Sequence, residues 1–319
     1  MIEITNPSAQ FYGVGGARIS AQDGCTVKME PGGGIVVLNG AGEQGQGTET
    51  VFAQIAADAI GVDFSSVRVI TGDTDATPYG GGTWASRGAG VGGEATWLAA
   101  RGLRENLLSL AAIILQQPRE RLDIRAGQVV DLMTGEALQP LAELGRIAYF
   151  RPDTLGAFQP ELCVTRHFVP KAYPFTFTNG CLACHLEVDP ETGSIRLLKF
   201  WAVEDCGTIL NRQLVDEQIR GAIVQGVGPT LYEQCLYDER GQMLNGNMVD
   251  YLLPMSAEMP DMVIGHVCTP TRTTELGAKG AGEAGTAGAP AAIMNALNDA
   301  LTPFGVEMFE MPFTPEKVL

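Results

Sequence analysis

The sequence predicts an α+β fold arranged as two lobes. Three observations carry this prediction: short strands joined by tight turns, intervening segments with apolar residues at helical spacing, and glycine clusters placed immediately ahead of helices. Antiparallel turns beside the strand pairs argue against a doubly wound parallel sheet.

The first strands come from residues 26–29, which alternate, and residues 35–38, which return through the Pro31-Gly32-Gly33-Gly34 turn. Residues 40–47 form a polar Gly/Gln loop. Val51, Ile55 and Ala59 then repeat at helical spacing over residues 48–60, with Thr48 as the expected N-cap and Gly61 as the stop. Residues 67–70 make another strand before the Gly72-Asp73-Thr74-Asp75 turn. A second glycine loop precedes a long Ala/Leu-rich helix over residues 94–116. Residues 118–170 are irregular, and the lobes are expected to span residues 1–165 and 166–319. The second lobe begins with strands at 184–188 and 195–203, joined by Asp189-Pro190-Glu191-Thr192-Gly193. A helix follows over 214–234. The third glycine loop, 277–290, leads into a helix over 291–301.

Composition narrows the class. A net charge of −16 opposes phosphate-backbone binding, which excludes a general nucleic-acid role. No apolar run is long enough to cross a bilayer, and the start lacks the pattern of a secretion signal, so a cytoplasmic location is expected. Seven cysteines, an odd number scattered through a chain with ample apolar residues, read as reduced thiols rather than a disulfide framework.

Glycine clusters ahead of helices let backbone amides approach a ligand and aim helix N-termini at negative charge. Gln46, Ser86 and Arg87 add side-chain donors around the first two loops. The alternative is that these are ordinary loops whose Gln and Ser cap helices. In the third loop, Glu283 lies between Gly282 and Ala284-Gly285. Small neighbours permit close approach to a reacting group, and partial burial there would suit a general base. Cys181-Leu182-Ala183-Cys184-His185 has the spacing of a c-type haem attachment, but it sits at the start of a strand and no four-ligand set accompanies it. Gly13-Val14-Gly15-Gly16 lacks the dinucleotide fingerprint and reads as a turn. His167, His185 and His266 read as core or surface residues rather than a metal centre.

Three ordered blocks resemble the molybdenum-binding large subunit of the xanthine dehydrogenase, aldehyde oxidase and carbon monoxide dehydrogenase family. They are Gln44-Gly45-Gln46-Gly47-Thr48 with Gly72-Asp73-Thr74-Asp75 and Thr83-Trp84-Ala85-Ser86-Arg87; then Glu187-Val188-Asp189, Asp205-Cys206-Gly207, Asn211 and Gln225-Gly226; then Lys279-Gly280-Ala281-Gly282-Glu283. The resemblance implies the two-lobed, α+β molybdopterin-binding domain of a molybdenum hydroxylase.

It also implies that Gln46, Gly47, Ala85, Ser86, Arg87, Gln225, Lys279 and Gly282 bind a molybdopterin, expected in its cytosine dinucleotide form. Molybdenum would be held by the pterin, with no direct protein ligand. Glu283 would be the catalytic base of an oxidative hydroxylation of an aldehyde or N-heterocycle, with oxygen from water. Family large subunits carry a further molybdenum domain N-terminal to this segment. The resemblance therefore implies a split subunit or a fragment, partnered by an N-terminal molybdenum-domain subunit, a [2Fe–2S] iron–sulfur subunit and an FAD-bearing flavin subunit. The competing expectation is a non-catalytic cofactor-binding or assembly subunit of the same fold.

Overall fold

A computed structural model describes residues 1–5, 22–170 and 175–319. The Gly13-Val14-Gly15-Gly16 turn lies outside the described residues. In chain order the strands and helices are β1 (Ile2–Thr5), β2 (Asp23–Met29), β3 (Ile35–Asn39), α1 (Thr48–Ile60), β4 (Val67–Ile70), α2 (Gly93–Leu115), β5 (Leu122–Arg125), β6 (Gln128–Asp131) and β7 (Ala137–Pro140). There follow α3 (Leu141–Phe150), β8 (Cys163–Phe168), β9 (Thr176–Val188), β10 (Ile195–Asp205), α4 (Arg212–Leu231), β11 (Asp261–His266), α5 (Ala284–Leu301) and α6 (Pro315–Val318).

The chain divides into two compact units. The N-terminal unit holds Asn6–Thr176 and Thr271–Ala278; the C-terminal unit holds Met1–Thr5, Phe177–Pro270 and Lys279–Leu319. The expected division at 165/166 falls inside β8, where Val27 of β2 faces Val164, so pairing carries the N-terminal unit past that point.

In the N-terminal unit a four-stranded sheet has the order β4-β3-β2-β8, with β3 and β4 parallel. Cys25, Val27 and Met29 of β2 are fully buried, as are Phe52 of α1 and Leu103, Leu107 and Leu110 of α2. This is the alternation of a strand and the helical spacing of two amphipathic helices meeting in one core. A three-stranded β5-β6-β7 sheet accompanies it. Gly61 ends α1 in the left-handed conformation, its N–H donating to Ala57 O, as a glycine stop requires.

The C-terminal unit has the sheet order β1-β9-β10-β11, with β10 and β11 parallel and β9–β10 a hairpin. Asp189 builds the hairpin turn by accepting from the Glu191 N–H and Thr192 hydroxyl, while Gly193 takes positive φ. One sheet face packs Leu186, Phe200 and Ala202 against Ile219, Ile223 and Val227 of α4 and Ile293 and Leu297 of α5. The side chain of Asn211 caps α4 by accepting from the Leu214 N–H.

Three helices start earlier than expected, α4 among them at Arg212. A π-turn over Gly88–Gly92 runs directly into α2 at Gly93. More informatively, α5 begins at Ala284 and absorbs glycines expected to be loop. These glycines serve close packing: a Cβ on Gly285 would lie 2.6 Å from Ile219 O, and one on Gly288 would lie 2.5 Å from Leu182 Cδ1. Pro290 is tolerated inside the helix at the cost of one backbone hydrogen bond. Among the described residues no helix is long and apolar enough to cross a membrane, and all seven cysteines are free.

Candidate functional site

In the N-terminal unit the first two glycine loops are packed on each other. The Thr83 hydroxyl donates to Gly42 O at 2.6 Å, and the Gln44 side chain reaches Thr83 O at 3.4 Å. Gly40 and Gly80 approach so closely that a Cβ on either would lie within 2.7 Å of the other's backbone. Gln46 and the Ala85-Ser86-Arg87 stretch therefore belong to one assembly. Gln46 is half-buried; its Oε1 accepts from the Gln44 N–H at 2.6 Å and its Nε2 donates to Gly42 O at 3.4 Å.

The N-terminus of α1 departs from expectation. Gly47, not Thr48, is the N-cap, in the left-handed region at φ 83°. The helix amides are answered by Glu43, which accepts from Gly45 N and Gly47 N through Oε1 and from Glu49 N through Oε2. Partial burial opposes ionisation of Glu43, but the amides of Glu49, Gly47, Gly45 and Gln44 outweigh it and hold the carboxyl below its ordinary value. The positive end of α1 thus already carries an anion supplied by the chain.

Arg87 also departs from expectation. Its guanidinium is fully buried, 3.1 Å from the equally buried Asp23 carboxylate and 5.3 Å over the Trp84 ring. Asp23 further accepts from Gly81 N at 2.8 Å, and the Trp84 indole donates to Gly81 O. Burial lifts the Asp23 pKa to about 6 against the opposing pull of Arg87 and the Gly81 amide. The Arg87 side chain therefore braces the second loop from beneath and is not a surface-facing donor. Above it, Ala85 and Ser86 take positive φ, 47° and 50°, and right-handed Arg87 follows. Successive residues of opposite hand curve their amides toward one concavity. The first-turn amides at Gly88–Gly90 have no acceptor within the helix by position.

In the C-terminal unit the third loop is fastened from both sides. Gly280 donates to the Thr5 hydroxyl and its carbonyl accepts from the Thr178 hydroxyl, both side chains being fully buried. Lys279 donates its N–H to Cys206 O, and its ammonium pairs with Asp205 at 3.3 Å. Asp205 also accepts from Gly207 N and Thr269 N. Burial disfavours its charge, yet these donors and Lys279 hold its carboxyl below the ordinary range. Gln218 of α4 donates to Gly282 O at 2.7 Å. Glu283 is the N-cap of α5, with its carbonyl accepting from Thr286 N, and the Thr286 hydroxyl donates to Ala222 O on α4. Glu283 is exposed rather than part-buried.

Of the expected residues, the structure gathers Gln46, Gly47, Ala85, Ser86 and Arg87 in the N-terminal unit and Lys279, Gly282 and Glu283 on one loop of the C-terminal unit. Gln225 is exposed on α4. Glu43, Asp23, Thr178 and Gln218 were missed by sequence reasoning. Only Glu43 had a signal, an acid a few residues ahead of a helix; the others act across long sequence separations.

The haem spacing is resolved by the strand. Cys181 and His185 lie on the exposed face of β9, whereas Cys184 points to the other face beside the core, where burial lifts its pKa to about 12. Cysteines on opposite faces of a strand do not converge on one porphyrin. His266 is an internal residue, its Nε2 2.5 Å from Asp216 Oδ1. Among the described residues no group of three or more His, Cys, Asp or Glu is placed to hold a metal ion.

The family model described as the molybdopterin cofactor-binding domain matches residues 4–260. The chain belongs to this family. It is 37% identical over its full length to the nicotine 6-hydroxylase large subunit of Paenarthrobacter nicotinovorans, of which it covers 39%. It is 30% identical over 93% of its length to the carbon monoxide dehydrogenase large chain of Hydrogenophaga pseudoflava, of which it covers 36%. Among solved structures, quinoline 2-oxidoreductase from Pseudomonas putida 86 matches all of the chain at a TM-score of 0.90 and 37% identity, and the chain covers 40% of it. The chain thus spans about two-fifths of the length of these relatives.

The residues present suit a molybdopterin. The N-terminal unit offers neutral donors (Gln46, the Ser86 hydroxyl and the amides around residues 86–90) of the kind a pyrophosphate and a heteroatom-rich ring demand. A Cβ at Gly45 or Gly82 would meet nothing within 4 Å, so glycine there leaves the backbone open to a ligand.

Proposed function

We propose that this molybdopterin-binding chain is part of a molybdenum hydroxylase that oxidises an electron-poor C–H carbon of an N-heterocycle, with Glu283 as its base. The observation that carries the reading is Glu283 itself: an exposed carboxylate at the start of α5, on a loop pinned by Gln218, Thr178 and Thr5. An N-heterocycle is favoured over an aldehyde because nicotine and quinoline are named in the two 37%-identical relatives.

Gln46, with the backbone of Gly47 and of residues 85–88, would bind the pterin and its pyrophosphate tail, with Gln225 and Gly282 assigned to the same cofactor. Bound there, the molybdenum pterin supplies a two-electron acceptor for hydroxylation by water. Glu283 takes the proton that the incoming oxygen must lose, and the rigid anchoring of Gly282 keeps its carboxylate in one place. Lys279 acts through Asp205, holding the loop rather than meeting the cofactor. The cytosine dinucleotide form of the pterin, cytoplasmic residence, and partners carrying the first molybdenum domain, [2Fe–2S] clusters and FAD complete the reading.

The test is the assembly isolated with its own partners, assayed for molybdenum content and for hydroxylation of quinoline and nicotine. Glu283→Gln should keep the metal and lose at least ~10²-fold in kcat. Unchanged turnover would remove the base assignment. A wild-type assembly that holds molybdenum and oxidises nothing would favour a non-catalytic carrier.

A further inference from the structure

The sheet of the C-terminal unit carries apolar side chains on both faces. Its inner face meets α4 and α5. Its outer face carries Ile2, Ile4, Phe177, Trp201, Val203 and Val263, each between 39% and 66% exposed. They alternate with buried residues along their strands: Glu3 and Thr5 on β1, Thr178 on β9, Ala202 and Glu204 on β10, Met262 on β11.

The residues also adjoin across strands. Trp201 lies opposite Ala183 on one side and Val263 on the other, and Val203 lies opposite Cys181. Met1 and Gly180 exchange both backbone hydrogen bonds, fixing β1 against β9. Trp201, Val203 and Val263 thus adjoin Cys181 and Ala183 of β9, and Asn179, opposite Asp205, lies between Cys181 and Phe177 on the same face. Charges on this face lie toward its two ends and are paired there, Arg196 with Glu187 and Lys199 with Asp261 at one end and Asp205 with Lys279 at the other. An apolar centre with a polar margin is the anatomy of a permanent interface, whereas a sheet face left to water alternates apolar in and polar out.

We propose that this face is the docking surface for the remaining portion of the large subunit, the roughly three-fifths of the relatives' length that this chain does not cover. The proposal rests on the reading of the chain as one part of such a subunit. Two features select this occupant. The whole chain aligns within the nicotine relative, so this face occurs there beside polypeptide present in fixed ratio, and constant cover is what a large apolar face needs. A second copy of this chain would approach with a like charge of −16, which opposes self-association.

Photo-crosslinking in the native cells tests the inference, with the assembly intact. p-Benzoylphenylalanine is placed at Trp201 and, as a control in the same unit but off the sheet, at Val249, which is 86% exposed. Cross-linked peptides from position 201 should match the part of the large-subunit relatives outside the region this chain covers. Val203→Asp/Val263→Asp should lose that polypeptide on purification while the isolated chain keeps its circular dichroism and melting temperature, because both positions are already solvent-facing in the chain alone. Cross-links to a second copy of this chain, to an iron–sulfur or flavin polypeptide, or to nothing would overturn the proposal. So would retention of the large-subunit partner by the double variant. The readout is independent of turnover: an inactive assembly with the expected cross-link leaves the docking face standing and removes the proposed reaction. An active assembly lacking the cross-link does the reverse.

Discussion

The two units hold their loops by different physics. In the N-terminal unit the loops at 40–47 and 80–88 are fixed largely by charge: Asp23 and Arg87 pair beneath one of them, and Glu43 folds back on the amides of the other. In the C-terminal unit the loop at 279–283 is fixed by hydroxyl and carboxamide bonds to its backbone, and by helices so close that only glycine fits between them. Lys279 pairs with Asp205 at the start of that loop. Charge braces loops that present backbone donors. Close packing and neutral hydrogen bonds place the loop that carries Glu283.

The sharpest way to break this contrast is to cut the buried ion pair. Arg87→Met leaves Asp23 buried without its ionic partner and should cost about 3–5 kcal/mol in urea unfolding. Adding Asp23→Leu removes the isolated charge and should recover most of that loss. Equal stability of the single and double variants would show that the pair does not brace the loop through charge.

The counterpart in the C-terminal unit is steric. Gly285→Ala sets a methyl group 2.6 Å from Ile219 O and 2.8 Å from Ile223 N, both backbone atoms that cannot rotate away. Separating α4 from α5 should cost about 1–3 kcal/mol. Because Gln218 and Glu283 sit at this same crossing, kcat should fall more than KM rises. A loss confined to stability would mean that the crossing does not position Glu283.

These residues also mark what could be read before the structure. Strand pairs, the span of α1 and its glycine stop were legible because apolar period and turn residues are local signals. The start of α5 was not, since Gly285 and Gly288 carry the composition of a loop while their role is set by α4 and by Leu182 in β9. Arg87 was legible as a member of the second loop but not in its direction: only the burial of Asp23, sixty-four residues earlier, turns its side chain inward. The grip of Gln218 on Gly282 leaves no sequence signal at all.

A smaller effect runs in the opposite direction. Glu204 is fully buried, and among the described residues neither of its carboxyl oxygens has a hydrogen-bond partner. Burial and then the charge of Glu3 raise its pKa from 4.5 to about 8, opposed by the Met1 amino group. A carboxyl that binds its proton more tightly when folded makes stability fall as pH rises from 4.5 through about 8. Glu204→Gln should therefore match wild type below pH 4.5 and exceed it by about 1–2 kcal/mol above pH 8, by chemical denaturation across that range. A constant difference at all pH values would show that the carboxyl does not titrate in this window. That result would leave close packing, without internal charge strain, as the full account of the C-terminal unit.

The smallest effect belongs to Glu43, and it asks whether the helix start of α1 can be opened to an external anion. Glu43→Ala removes the acceptor used by the amides of Gly45, Gly47 and Glu49 and should cost about 1 kcal/mol. Those three donors then point at water, beside a positive helix end. Inorganic phosphate at constant ionic strength should restore part of the lost melting temperature, because a helix N-terminus with vacant amides takes an oxyanion readily. The wild type should gain less, since its own carboxylate already fills that position. Equal phosphate gains in the two proteins would mean that Glu43 does not keep anions off α1. The closure of the α1 start to anions would then need another cause.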